Sequence, residues 1–296
     1  MSTELQTVTP AACPKPGIYQ LSEALYHADP CPVPSLSASI ASVLISESPA
    51  DAKLAHPRLN PACEADESPL FDLGSACHEM LLEQSGSRIA VCNYDDWRTK
   101  AARDERDAAR AEGRYPILSK QLEAVIDMAA HARDFIATTE LSGIFERGQA
   151  EQAIVWQEEG IWCRAKSDWL SIEKGKTINL DYKTTGLPRA RWIKTIGSED
   201  RDIQACFYPR GLTALGYPKP TFIWLVQRTV KPYSCFLVGM SEPRKEIGNW
   251  KVERAVESWR DCMASDKWPE YDPKIIYSQP EVWESKEFTE ALAEEE

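Results

Sequence analysis

IWCRAKSDWLSIEKGKTINLDYKTT, residues 161–185, decides the fold. Ile161 to Ile172 has the residue preferences of a β-strand, and so does Thr177 to Thr184. Lys174-Gly175-Lys176 between them is a turn. Upstream, Glu151 to Trp156 (EQAIVW) predicts another strand, joined to the first through Glu158-Glu159-Gly160. The expectation is a three-stranded antiparallel meander. Side chains alternate between the faces of a strand, so Asp181 and Lys183 share one face and Tyr182 takes the other. A short hairpin through Gly175 brings Asp168 beside Asp181. Two carboxylates and one amine then crowd one spot on a sheet.

Like charges facing each other across strands destabilise a sheet unless something offsets them. A hard divalent cation does so. Mg²⁺ takes carboxylate oxygens, backbone carbonyls and water, so the carbonyl of Tyr182 is a further candidate ligand. A cation held there activates water and stabilises charge on a phosphoryl group, and Lys183 adds a positive charge beside it. The spot therefore fits metal-assisted hydrolysis of a phosphodiester. The competing reading is a salt-bridged hairpin face, which explains most isolated D-x-K patterns.

Outward from this block, Ser35 or Ser37 caps a helix running through Leu44 and ending before Pro49. Pro57 to Pro69 is turn-rich. Leu73, Cys77, Leu81 and Leu82 form the apolar face of a helix that carries Gly74 and His78 one turn apart. Gly74 admits close approach of a backbone or a phosphate. Residues 95–114 read as an exposed charged helix, and Ser119 to Thr138 as an amphipathic one. Beyond the meander come a helix over 200–215, strands at Thr221–Arg228 and Tyr233–Met240, and a helix from Glu242 to Met263. Gln204 and Tyr208 are one turn apart on the first of these helices. The order predicts an α/β fold with a mixed sheet and additional N-terminal helices. Residues 1–34 read as a flexible arm, 35–272 as the folded domain and 273–296 as an acidic tail.

The formal net charge of −12 argues at first against a nucleic-acid partner. Its distribution reverses the argument. Residues 161–260 hold 18 Lys and Arg against 10 Asp and Glu, while the rest of the chain holds 16 against 36. A basic segment inside an acidic protein suits phosphate binding, although a solvated mixed-charge surface gives the same count. No apolar run approaches the ~18 residues of a membrane span. Nothing at the N-terminus resembles an export signal, so the nine cysteines are expected as reduced thiols in a cytoplasm.

Together these pieces resemble the PD-(D/E)xK nucleases, and within them the RecE-type (exonuclease VIII) enzymes of phage and prophage recombination. Leu73 to Glu83 resembles that family's G-x-x-x-H helix. Cys163 to Leu170 resembles its R-x-R/K-P-D-x-L strand, with Ser167 in place of the proline. Leu180 to Thr185 resembles D-x-K-T-T, and Gln204 to Tyr208 resembles Q-x-x-x-Y. The resemblance implies a PD-(D/E)xK core, a mixed central β-sheet flanked by helices. It implies a Mg²⁺-dependent exonuclease, with Mn²⁺ a substitute, that degrades double-stranded DNA ends 5′→3′. The 3′ tails left behind would pass to a RecT-like single-strand annealing protein, and a homo-oligomer is expected. Residue by residue, His78, Asp168, Asp181 and the Tyr182 carbonyl would hold the metal. Lys183 would be the catalytic lysine and Glu151 an accessory catalytic acid. Gln204, Tyr208 and Arg164 would contact DNA. Arg201 stands where an aromatic residue is frequent and Gln227 where Glu is common, so one DNA contact and one supporting carboxylate are expected to be missing.

Two other readings share the core. An iron–sulfur nuclease of the Cas4 type needs four cysteines, and none here are paired in sequence, so no cluster is expected. A structure-specific endonuclease, or a catalytically silent DNA-binding module, would retain the fold without end-directed digestion.

Overall fold

Glu159 (φ 48°) and Gly160 (φ 84°) form a two-residue turn between Glu158 and Ile161, the left-handed pair whose twist matches the flanking strands. A second two-residue turn separates Glu173 from Lys176, so the meander expected from the sequence is present. The computed structural model describes residues 12–60, 62 and 69–295. In chain order the elements begin with β1 (Gly17–Gln20), α1 (Glu23–His27), β2 (Leu36–Ser37), α2 (Ala38–Ser46) and α3 (Pro49–Ala55). Then come α4 (Pro69–His78), β3 (Ile89–Cys92), α5 (Lys100–Ala111), β4 (Tyr115–Leu118) and α6 (Ser119–Ala137). The meander is β5 (Gln149–Glu158), β6 (Ile161–Glu173) and β7 (Lys176–Thr185). It is followed by α7 (Arg189–Ser198), α8 (Arg201–Ala214), β8 (Pro220–Arg228), β9 (Cys235–Val238), α9 (Glu242–Ser265) and α10 (Val282–Glu295).

The main sheet runs β1-β5-β6-β7-β8-β9. It is mixed, because β7 and β8 are parallel and are joined through α7 and α8. One core packs Trp156, Trp192, Phe207, Trp224 and Trp259 on one side of the sheet. The other packs Cys77, Leu81, Met128, Trp169 and Tyr182 on the opposite side, around α4 and α6. Burial of these large apolar side chains is the main favourable term in folding.

The sheet forks where the acidic residues lie. β6 pairs with β7 only from Trp169↔Leu180 to Glu173↔Lys176. Further up, the same edge of β6 pairs with β2 at Cys163 and Arg164. Meanwhile β7 continues to Thr185 with β8 alone. Asp168 and Asp181 face each other at the point of divergence. In the same register Glu151 stands opposite Asp168 on β5, so three acids line up across three strands. Glu151 has φ 58°, a left-handed conformation in mid-strand. Strand alternation breaks there. Ile154 and Trp156 face the first core, whereas Ala150 faces the second.

The segment 1–34 differs from the flexible arm expected of it. Its first eleven residues lie outside the described ones. Gly17 to Gln20, however, add an edge strand to β5. A buried polar network then fastens the segment to the sheet. Ser35 donates to Asp29 through its backbone N–H (2.8 Å) and its hydroxyl (2.7 Å). His56 Nε2 lies 3.3 Å from Asp29, and Arg164 donates to the Ser35 hydroxyl and carbonyl at 2.7 Å each. Burial raises the Asp29 carboxyl, but the bond to His56, the Arg164 charge and the Ser35 donors outweigh it and lower it. Arg164 is thus a buried clamp, 4% exposed, on Ser35 and Asp29. The expected acidic tail also carries regular structure, the exposed helix α10. The short strands β3 and β4 and the helix α7 are not evident in the sequence pattern. No described helix is long and apolar enough to cross a membrane.

Arg164→Met should cost about 3 kcal/mol of stability by urea titration, because it takes a cationic partner from a buried carboxylate. DNA affinity per folded molecule should be unchanged. Loss of affinity with unaltered stability would return Arg164 to the DNA surface.

Candidate active site

His78 ends α4, and a single π-helical turn, Glu79–Glu83, follows it. Such turns are rare and concentrate at functional sites. The helix can lie close to β7 because a Cβ at Gly74 would already meet Thr184 Oγ1 at 3.3 Å. Gly74 therefore serves helix–strand packing, not phosphate binding. From α4 the His78 ring reaches two strands at once. Its Nδ1 lies 3.3 Å from Glu151 and its Nε2 3.2 Å from Asp168. Burial disfavours the imidazolium, but the charges of Asp168 and Glu151 outweigh it and raise the His78 pKa.

At the fork, Tyr182 loses β6 as a backbone partner and donates its N–H to Asp168 Oδ2 at 2.9 Å. The residue whose carbonyl the resemblance assigns to the metal is thus tied to the Asp168 carboxylate. Asp181 is fully buried. Its Oδ1 accepts from Lys183 Nζ (3.0 Å) and Gln204 Nε2 (2.9 Å). Its Oδ2 lies 2.9 Å from the same ammonium but has no hydrogen-bond partner of acceptable geometry.

The two aspartates are driven apart in pKa. Burial and the neighbouring Asp168 charge push Asp181 up to about 6 despite Lys183. Burial opposes the Asp168 charge too, but His78, Lys183 and the Tyr182 N–H overcome it. They hold that carboxyl well below the usual carboxylate range. Lys183 stays cationic: burial acts against its charge, yet Asp181 and Asp168 raise its pKa.

These donors fit a divalent cation. Carboxylates, a backbone carbonyl and one imidazole make an oxygen-rich set suited to Mg²⁺ or Mn²⁺, and the imidazole widens the choice toward Mn²⁺. Asp181 Oδ2, buried and without a hydrogen bond although the Lys183 ammonium lies 2.9 Å away, is an oxygen that a cation could still take up. Among the described residues, the three side chains whose ligand atoms all lie within 4.8 Å of one another are His78, Glu83 and Glu151, next to this set.

The structure brings together His78, Glu151, Asp168, Asp181, Tyr182 and Lys183. Of the three expected DNA contacts, Tyr208 and Arg164 are buried and Gln204 is half-buried. Gln204 is spent on Asp181. Tyr208 is only 8% exposed and packs edge-on against Phe222. Arg164 is the clamp described above. Gln227 accepts from the Tyr182 hydroxyl and donates to the carbonyls of Met128 (2.9 Å) and Tyr233 (3.1 Å). That buried amide braces the far side of β7. Arg201 lies over the Trp192 ring, 5.5 Å from its centroid.

Two residues were missed. Lys166 pairs with Glu151. It sits two positions before Asp168, so period-2 spacing already placed it on the same face. Glu83 is five residues after His78, a spacing that separates side chains on an α-helix. Only the π turn, closed by Gln84 N–H donating to the Glu79 carbonyl (3.0 Å), stacks them.

A family model described as a "PDDEXK-like domain of unknown function (DUF3799)" matches residues 37–279, and the chain belongs to that family. A search of the curated proteins finds no match. Among solved structures, the chain is similar to a candidate exonuclease from Eubacterium rectale. The two share 12% identity and a TM-score of 0.55 over 90% of this chain and 98% of the other. At that identity the likeness is one of fold. It agrees with the mixed α/β sheet and flanking helices expected from the sequence.

At about 10 mM Mg²⁺ or Mn²⁺ and a millimolar dissociation constant, cation binding should add about 1.4 kcal/mol. That raises the melting temperature by about 2–4 °C. Asp181→Asn should abolish the rise. A melting curve that ignores both cations would show that these residues hold none.

Proposed function

We propose that this protein is a metal-dependent nuclease that hydrolyses phosphodiesters at the ends of double-stranded DNA. The observation that carries the reading is the row of Glu151, Asp168 and Asp181 across three strands, with His78 and Lys183 held against it. Three acids side by side at a fork in the sheet, one of them fully buried, are costly, and such clusters concentrate at functional sites. A cation held by His78, Asp168, Asp181 and the Tyr182 carbonyl would polarise the phosphodiester and make its bound water acidic.

The chain's own residues supply the rest. Lys183, one-third exposed, reaches from the Asp181 carboxylate toward the open side of the fork. There its ammonium orients the attacking water and offsets charge on the phosphoryl oxygens. Gln204 keeps Asp181 in place. Glu151 lies 3.3 Å from His78 Nδ1 while Nε2 faces Asp168 at 3.2 Å, so a carboxylate on the Nδ1 side would orient the ring if Nε2 held a cation. Glu151 thereby acts through His78 and not as a separate catalytic acid.

The finer reading follows the resemblance to RecE-type exonucleases. It is 5′→3′ digestion that leaves 3′ tails, carried out in the cytoplasm by a homo-oligomer alongside a single-strand annealing protein. Motif order and spacing over 73–208 support it.

End-labelled linear duplexes incubated with Mg²⁺ or with EDTA test the proposal. Nucleotides should be released only with Mg²⁺, from the 5′ end, and covalently closed circles should survive. Asp181→Ala and Lys183→Ala should each lower the rate by about 10³-fold or more while the fold persists. Cutting of closed circles would favour the endonuclease reading. DNA binding without hydrolysis would favour the silent module.

A further inference from the structure

Two of the residues expected to hold DNA are buried and the third, Gln204, is bonded to Asp181, so the nuclease reading calls for a further surface for its polyanion. α7 offers one. It begins four residues after Thr185, the end of the strand that carries Asp181 and Lys183. Its inner face is anchored by Trp192, which is 2% exposed and packs edge-on against Trp224 and Phe236, and by Ile196. Arg191 and Lys194 lie on its outer face and Arg189 at its first turn, all exposed.

Most basic side chains of this acidic protein are already paired. Arg147, Arg201, Arg210, Arg244, Lys251 and Arg260, for example, each meet a carboxylate. None of the three cations on α7 has an ion-pair partner among the described residues. The segment 186–198 (GLPRARWIKTIGS) contains no acid at all. Two apolar side chains, Leu187 (37% exposed) and Ile193 (43%), stand among these charges. A merely solvated helix gains nothing from three unneutralised cations in six residues, whereas a phosphate backbone releases counterions to each of them.

Reach is adequate. Six residues separate Lys183 from Arg189, at most about 20 Å of extended chain. That is about six nucleotides of one strand at 3.4 Å each.

We propose that α7 is the phosphate-gripping surface of this protein, with Arg189, Arg191 and Lys194 holding the DNA backbone a few nucleotides from the acidic row. The proposal rests on the nuclease reading.

Fluorescence anisotropy with a short labelled duplex in EDTA, from about 50 to about 200 mM salt, tests it. The triple variant Arg189→Ala/Arg191→Ala/Lys194→Ala should bind at least about tenfold more weakly at low salt. Its log–log salt slope should be shallower by about 2–3, near 0.9 per lost phosphate contact. Its melting temperature and Mg²⁺-induced shift should match those of the wild type. Lys174→Ala/Lys176→Ala, which removes two exposed cations from the far end of the hairpin, should leave both slope and affinity intact. Equal losses in the two variants would mean diffuse charge and overturn the proposal. So would unchanged DNA binding in the triple variant, including the case where only its oligomeric state moves. If the wild type hydrolyses DNA while the triple variant binds normally, this inference alone falls. If the wild type neither binds nor hydrolyses DNA, the nuclease reading falls with it.

Discussion

The site depends on β6 and β7 separating at Asp168 and Asp181. A continuous ladder would spend the Tyr182 N–H on the neighbouring backbone. The fork instead leaves it to the Asp168 carboxylate. The separation is stable because other partners cover the freed edges. β2 takes the upper part of β6, while on the freed edge of β7 the Tyr182 N–H goes to Asp168 and Gln204 from α8 closes on Asp181. Unpaired sheet edges and buried carboxylates are both costly, and here each offsets part of the other's cost.

Without a divalent cation the acidic row is balanced by side chains. His78 bridges Glu151 and Asp168, Lys166 meets Glu151, and Lys183 meets Asp181. The balance is uneven. Asp168 collects the histidine, the lysine field and a backbone N–H, so its charge is secure. Asp181, deeper and facing Asp168, is left with one carboxylate oxygen unbonded and a raised pKa. Two chemically identical side chains thus acquire different characters from their surroundings. A cation relieves the second more than the first.

The meander and the acidic pair were legible because both rest on local rules. Turn residues at 158–160 and 174–176 set the hairpins, and strand alternation sets the faces. Glu151 opposite Asp168 follows from counting through one hairpin. What stayed hidden was non-local or irregular. β1 and the strands β3 and β4 are four residues each, too short to show a period. Glu83 joins His78 only through a π turn, which helical spacing does not anticipate. The left-handed Glu151 changes strand phase where no glycine marks it. Polar motif residues gave the least direct reading of role. Gln204, Tyr208 and Arg164 sit where the motifs put them, yet each is turned toward the protein's own groups.

That last difference bears on how such motifs should be read. A short polar motif reports that a side chain is constrained, not by what. Gln204 is constrained by a carboxylate that must keep its orientation with or without a cation. Arg164 is constrained by a buried aspartate 3.3 Å from its guanidinium and by the Ser35 carbonyl. Residues that meet a long, flexible polyanion face the opposite demand. They need reach, exposure and freedom from competing acids, and they need no particular spacing from the metal ligands. An acid-free, solvent-facing helix pinned by one buried tryptophan meets that demand. For the same reason it leaves no motif, because its chemistry lies in the absence of partners, which only the folded chain reveals.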